Sequence, residues 1–312
     1  MVAMFRRLFE KKQAAEGAER PLLSEALQGS ILHSLGLKDV PSMPATAQEA
    51  FRVAIDPNSD ARDFIDVIEA DEGFSARLLK IANSVFYDRG GGSKTIVDAV
   101  NVVGISELRN LLNASVLSGL FPVRHYLRTE FWTHNIATAL TAKVLAQNLM
   151  TERSESVFLA GMMHDVGKLL ILQQHVGNYE EIVKKGLATG VESTVSEVSE
   201  YPYDHTHVGH MLADRWRFSP QLTDVIANHH KPWTELEKGS LVSVVKLADM
   251  IVHVGSFGCE HDSVAYKRIY APLLEEAWMH FGVPLREQKQ VLQQAELDFY
   301  SEYQNFEAWG RS

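Results

Sequence analysis

Apolar residues recur at helical spacing along nearly the whole of this 312-residue chain, which predicts a protein built of helices. In the first third, Ala61, Phe64, Ile65 and Ile68 form one such stripe, with Ser59, after Pro57 and Asn58, as the expected N-cap. Ala76, Leu79, Ala82 and Asn83 continue the block, and Asn83 and Ser84 are expected to close that helix with polar contacts. Pro41 and Pro44 punctuate its start. The run Arg89-Gly90-Gly91-Gly92-Ser93 breaks it, and Ser93 to Thr95 can cap the next helix. Lys94 does not make this a phosphate loop, because no Gly-Lys-Thr pattern accompanies it. Residues 97–103 and 108–120 are apolar enough to be buried helices, and Pro122 marks the expected hinge into the second half. No convincing strand is found: residues 191–200, VESTVSEVSE, alternate but read as a polar helix with surface serines and glutamates. The expected fold is all-α, an N-terminal helical bundle packed on a second helical domain.

The second half interrupts its apolar pattern with groups that need partners. Residues 160–172, AGMMHDVGKLLIL, set His164 beside Asp165 in an apolar helical stretch. Burying both is costly unless each is paired, and either a metal ion or a hydrogen-bonded His–Asp pair supplies that pairing. Lys168 follows Asp165 by three residues, on nearly the same helical face. Glu130 and His134 are four apart, so they share a face, with Phe131, Ile136 and Leu140 on the other. His205 and Gly209 repeat that spacing, with Val208, Met211 and Leu212 on the core side. His229 and His230 adjoin near a helix end that Pro232 helps to stop. Asp249 stands within the apolar run LVSVVKLADMIVHV. His207, His210, His253, His261 and His280 read as spare, and helical phase turns His207 away from His205.

Taken singly, these residues have plain readings: Glu130 as a surface group, the doublet as a helix end. Together, His134, His164, Asp165, His205, His229, His230 and Asp249 supply the imidazole and carboxylate set of a bridged multi-metal centre. A shared Asp between two metals about 3.5–4 Å apart is the usual arrangement for activating water against phosphate. Two or more divalent ions are expected, and the donors suit iron, manganese, nickel, cobalt or zinc without choosing among them. In an active centre Asp165 would bridge and Lys168 would stabilise charge developing on the phosphoryl group.

The ends of the chain and its composition add limits. In residues 1–28, Phe5, Leu8 and Phe9 oppose Arg6, Arg7, Lys11 and Lys12. That pattern fits a solvated terminal helix, or a membrane-surface or partner-binding one. Beyond residue 254, Asp262 is expected to cap a helix carrying Tyr266, Ile269, Leu273 and Trp278. Gly282 ends it, and Pro284 starts another with Val291, Leu292 and Leu297. Tyr300, Tyr303, Phe306 and Trp309 are expected to pack on the body; exposed, they would suit a homodimer or a protein partner. The expected divisions are 1–34, 35–121, 122–254 and 255–312. A net charge of −10 disfavours general nucleic-acid binding. The single cysteine, Cys259, excludes an internal disulfide and thiolate metal sites, and fits a reducing compartment. No apolar run reaches the ~18 residues of a membrane span, and no signal-peptide core opens the chain. A cytoplasmic protein is expected.

The ordered ligand set resembles the HD superfamily of metal-dependent phosphohydrolases. The stretches VPSMPATAQEAFRVAIDPNSDARDFIDVIEADEGFSARLLKIANSVFY and IVDAVNVVGISELRNLLNASVLSGLF are similar to the N-terminal signature of HDOD domains. The likeness continues through FWTHNIATA, FLAGMMHDVGKLLIL, DHTHVGHMLADRW and HHKPW, covering residues 35–254. It implies a signalling protein related to phosphohydrolases, with a signalling protein or a small phosphate-containing ligand as partner. It also assigns His134, His164, Asp165, His205, His229, His230 and Asp249 to metal, with Lys168 beside them. Glu130 falls where some cyclic-dinucleotide phosphodiesterases of the related HD-GYP group place an extra metal carboxylate. The segment HHKPWTELEKGS lacks the Gly-Tyr-Pro loop of that group, so cleavage of cyclic di-GMP does not follow. The expected function is regulatory, through a metal centre; the alternatives are a working phosphohydrolase on a nucleotide or phosphodiester, and a scaffold with an empty polar pocket.

Overall fold

Helices form throughout the computed structural model, and no strand occurs among the residues it describes, 23–56, 58–84, 87, 91–150, 156–257 and 263–306. The basic residues near the N-terminus, Arg89, Gly90, Cys259, the proposed Asp262 cap and Trp309 lie outside them. None of the described helices is long and apolar enough to cross a membrane.

Helix α1 (Glu25–Ser34) meets the second half of the chain, its Ser34 carbonyl 2.9 Å from His175 Nε2 and its Ser34 hydroxyl accepting from the Tyr203 hydroxyl at 2.8 Å. The first layer comprises α2 (Ala45–Ile55), α3 (Ala61–Glu69), α4 (Glu72–Ala82), α5 (Ile96–Val103) and α6 (Ile105–Leu120). Phe51, Phe64, Ile68, Phe74, Leu78 and Leu108 fill its interior, and α2 packs along α6. Helix α3 starts one residue later than expected. Asp60, not Ser59, is its N-cap, accepting from the Arg62 and Asp63 amides, while Asp63 returns a bond to the Asp60 amide. A carboxylate completes this reciprocal box and meets the positive end of the helix better than a serine hydroxyl. Thr95 caps α5 through the same device with Asp98. Asn83 closes α4 as expected: its amide donates to the Leu79 carbonyl at 2.8 Å and the Ser93 carbonyl at 2.9 Å.

The second layer is organised around α7 (Tyr126–Leu149). It packs against α8 (Val157–Met163), α14 (Leu241–Gly255) and α16 (Leu285–Glu302). Between them run α9 (Val166–Gln174), α10 (Val176–Thr189), α11 (Ser193–Val198), α12 (His205–Arg215) and α13 (Pro220–Asn228), and α15 (Ser263–Phe281) covers α14. The two-faced reading of α7 is corrected, since residues 132–142 are all buried. Later elements surround this helix, so its polar residues face the interior as well. Among the terminal aromatics, Phe299 and Phe306 are buried, and the Tyr303 hydroxyl meets Thr133 Oγ1 at 2.7 Å. Tyr300 stays exposed.

Two glycines set the distances on which the site depends. A Cβ at Gly161 would lie 2.7 Å from the Ala139 Cα, so α8 meets the α7 backbone directly. A Cβ at Gly167 would overlap the His205 carbonyl oxygen and lie 2.8 Å from the Gly209 nitrogen. Only glycine allows α9 and α12 to approach so closely.

Candidate metal centre

His164 and Asp165 do not sit inside a continuous helix. They form the junction where α8 ends at Met163 and α9 begins at Val166. The break lets both side chains turn inward, and His164 Nδ1 donates to the Gly161 carbonyl at 2.7 Å. The glycine-mediated contact of α9 with α12 then brings His205 Nε2 within 3.0 Å of Asp165 Oδ1. Helix α13 ends at Asn228, and His229, its C-cap residue, places Nε2 3.5 Å from the same oxygen. From α7 and α14, His134 Nε2 and Asp249 Oδ1 meet at 2.9 Å. His134, His164, Asp165, His205, His229 and Asp249 are each at most 4% exposed.

The structure therefore brings together the main predicted ligands, in three overlapping donor groups. Asp165, His205, His229 and His230 make one, His134, His164 and Asp165 a second, and His134, Asp249 and His253 a third. Within each group the donor atoms lie within 4.8 Å of one another. His230 contributes from the edge, its Nε2 buried without a hydrogen-bond partner. Glu130 borders the adjoining cavity beside His134 but stands outside the three groups.

Two residues of the cluster's surroundings lie outside the sequence expectations. His253 reads as spare from the sequence, yet its Nε2 lies 3.2 Å from Asp249 Oδ1. Its signal was legible: it follows Asp249 by four residues in the same apolar run. Glu197 falls in a stretch whose pattern predicts surface glutamates on a polar helix. It is instead 1% exposed, with Ser196 also buried, while Val195 and Val198 of the same helix are exposed. Three hydrogen bonds offset the cost of burying its carboxylate: from the His205 amide at 2.8 Å, from His205 Nδ1 at 2.8 Å and from the Tyr179 hydroxyl at 2.6 Å. No local pattern announces Glu197, because its partners come from α10 and α12.

The donor chemistry fits divalent metal. His164, His205 and His229 each give Nδ1 an acceptor: the Gly161 carbonyl, the Glu197 carboxylate and the Val225 carbonyl. That holds a proton on Nδ1 and turns Nε2 toward the carboxylates, where it can coordinate once deprotonated, the usual device for orienting metal-binding imidazoles. His205 Nε2 and His229 Nε2 approach to 3.4 Å, so both rings turn the same nitrogen toward one space beside Asp165. His134 Nε2, His164 Nε2, Asp165 Oδ1 and Asp249 Oδ1 are buried close together without aligned hydrogen bonds. Converging donors that satisfy distance but not hydrogen-bond angle are what an ion between them requires.

Charge is balanced unevenly across the cluster in the metal-free protein. Burial opposes the charge of Asp165, but His164, Lys168 and His205 outweigh it and hold the carboxyl well below its ordinary range. Burial also opposes charge on His164, yet Asp165 and then Asp249 lift it to about 10. His205 is likewise pulled down by burial and raised to about 9, chiefly by Glu197. His134 and His229 are pushed down to about 4, first by burial. Lys168 Nζ is buried and bound to Asp165 Oδ2 at 2.5 Å.

Two openings adjoin the cluster. A narrow cavity of about 50 Å³ reaches His134, Asp165, Lys168 and His253 between apolar walls that include Phe131, Ile182 and Tyr270. A broad concavity of about 770 Å³ lies between α12 and α13 and meets the cluster through His230 alone.

Comparison with known proteins agrees with this architecture. A Treponema pallidum (strain Nichols) protein of uncharacterised role is 23% identical over 222 residues, 69% of this chain and 42% of its own length. The chain thus spans less than half of that relative. An HDOD domain protein from Geobacter sulfurreducens, of unknown function, shares the fold with a TM-score of 0.62 at 20% identity, over 86% of this chain and 97% of its own. A Shewanella amazonensis SB2B protein, named as a candidate phosphohydrolase, gives 0.64 at 22% identity over 90% and 97%. A candidate signal transduction protein from Marinobacter aquaeolei VT8 gives 0.63 at 17% over 96% and 64%. The HDOD domain model matches residues 40–232, from the connection between α1 and α2 to just past the His229-His230 doublet and short of Asp249. By that match over more than half its length, the chain belongs to the HDOD domain family.

Proposed function

We propose that this chain is a regulatory signalling protein whose buried His/Asp cluster holds two divalent metal ions as a structural or ligand-sensing centre. The observation that carries this reading is the enclosure of the cluster. Small-molecule sites commonly occupy about 300–1,000 Å³, whereas the cavity that reaches Asp165 and Lys168 offers about 50 Å³. That space admits water or a very small ligand and excludes a nucleotide.

Asp165, His205, His229 and His230 would hold one ion, and His134, His164 and Asp249 the other, with Asp165 between them. When bound, such ions supply Lewis acidity and fixed positive charge. The protein's own residues do the rest. Glu197 and the Gly161 and Val225 carbonyls orient the imidazoles, Lys168 neutralises Asp165, and the apolar walls exclude bulk water. Because Lys168 is spent on Asp165, it is poorly placed to meet a phosphoryl group.

One observation favours a second reading, hydrolysis of a phosphate ester: the broad concavity is large enough for a nucleotide and touches His230. It lies away from Lys168, which borders only the narrow cavity. Turnover of an activated phosphodiester, such as bis(4-nitrophenyl) phosphate, by manganese- or iron-loaded protein separates the two. The regulatory reading expects rates indistinguishable from metal in buffer. Saturable turnover that disappears in Lys168→Ala while metal content is kept would establish the enzyme instead.

A further inference from the structure

We infer that His253 is a metal ligand, which with His134 and Asp249 completes a two-imidazole, one-carboxylate position opening onto the narrow cavity. This rests on the metal-holding reading above, and adds to it a residue outside the matched HDOD segment. His253 and Asp249 share one face of α14, one turn apart. Asp249 Oδ1 is the focus of three imidazoles, with His134 Nε2 at 2.9 Å, His253 Nε2 at 3.2 Å and His164 Nε2 at 3.7 Å. That oxygen nevertheless has no aligned hydrogen bond. An oxygen surrounded by ring nitrogens but bonded to none marks a place where the donors point at a common centre rather than at each other.

The ring of His253 is fixed for this task. It stacks between His134, with centroids 4.3 Å apart, and Tyr270 at 4.0 Å, nearly parallel to both. It is 6% exposed, and its Nδ1 is buried without a partner. A histidine wanted only for packing would carry that unmatched nitrogen at a cost that phenylalanine avoids. A histidine wanted for coordination needs the ring. Both His134 and His253 line the cavity, so an ion held by the three residues would keep a face open toward it. Two imidazoles and one carboxylate with open positions suit a first-row transition ion such as iron(II), cobalt or zinc, rather than magnesium or calcium.

The test loads wild type, His253→Phe and His253→Gln with cobalt(II), and reads metal per chain by plasma mass spectrometry together with the cobalt visible spectrum. Phenylalanine keeps the stack on His134 and Tyr270 while removing both nitrogens; glutamine is the second variant should the first fail to fold, as judged by circular dichroism. The inference expects about two ions per chain in wild type; in the variant the second ion, left with His134, His164 and Asp249, is lost first to a chelator and its cobalt absorption changes. A folded variant that keeps two ions and an unchanged spectrum overturns the role of His253 and leaves the metal centre standing. Wild type that binds no cobalt overturns both.

Discussion

The two ends of the cluster orient their imidazoles by different means. Around Asp165, the rings of His164, His205 and His229 are held by hydrogen bonds at Nδ1, and the carboxylate is neutralised by Lys168. Around Asp249, His134 and His253 are held by ring stacking, and both leave Nδ1 buried and unbonded. Hydrogen bonds at Nδ1 fix the ring angle and keep a proton on that nitrogen, whereas stacking fixes only the plane of the ring. The Asp165 end is thus a specified site and the Asp249 end an adjustable one, and the narrow cavity touches both. A sensing centre of the kind proposed would gain from this division, because an ion at the Asp165 end would be held firmly while the surroundings of one at the Asp249 end could respond.

The largest disturbance of this comparison is expected from Gly167→Ala. The added methyl must displace the His205 carbonyl, so α9 and α12 separate. The loss of stability is expected to be about 3 kcal/mol, at the upper end for overpacking. Thermal unfolding measures it, and the metal at the Asp165 end should be lost with it. An unchanged melting temperature would show that α12 can move away freely.

Glu197→Gln is expected to act next most strongly, and on one end alone. The amide still reaches His205, but it no longer provides a carboxylate for Nδ1. Removing such an orienting carboxylate typically costs about 10–100-fold in metal affinity. Competition with a chelator should find one weakened ion and one unaffected; equal weakening of both would erase the distinction between the ends.

Protons sharpen the comparison further. In the metal-free protein His164 and His205, raised to about 10 and about 9, are charged at neutral pH, while His134 and His229, lowered to about 4, are already neutral. Metal needs neutral imidazole, so loading must expel protons from His164 and His205, and affinity rises with pH until their pKa values are approached. Between pH 6 and 8 two displaced protons correspond to about 100-fold per pH unit for the pair. Calorimetry in buffers of different ionisation enthalpy should count about two protons released; none released would contradict the charge assignment. Tyr179→Phe is expected to have the smallest effect. It removes one hydrogen bond to Glu197 at a cost of about 1 kcal/mol, visible in unfolding and nearly silent in metal affinity.

Much of the site was legible because metal ligands in an apolar helical protein stand out as expensive exceptions. His164-Asp165 and Asp249 each interrupt a run of apolar residues, His205 and His229 stand out only through the resemblance, and the structure buries all of them. His253 breaks the same rule in the same run as Asp249, but a single histidine near the end of an apolar helix also reads as a spare one. Glu197 was illegible for a different reason. Its neighbours Ser193, Ser196 and Ser199 make a polar context, and burial is decided by Tyr179 and His205 from other helices. The helical pattern also could not show which faces later elements would cover. Hence α7, which reads as two-sided, is buried all round over residues 132–142, and the apparent single helix through His164 is two helices meeting at the pair.

The most direct test of the account is the metal content of untagged protein, measured by plasma mass spectrometry for wild type beside Asp165→Ala. The account predicts about two tightly held ions per chain, both lost or loosened when the shared carboxylate is removed. No stoichiometric metal in wild type, even after reconstitution, would contradict it and reduce the cluster to a polar filling of the core.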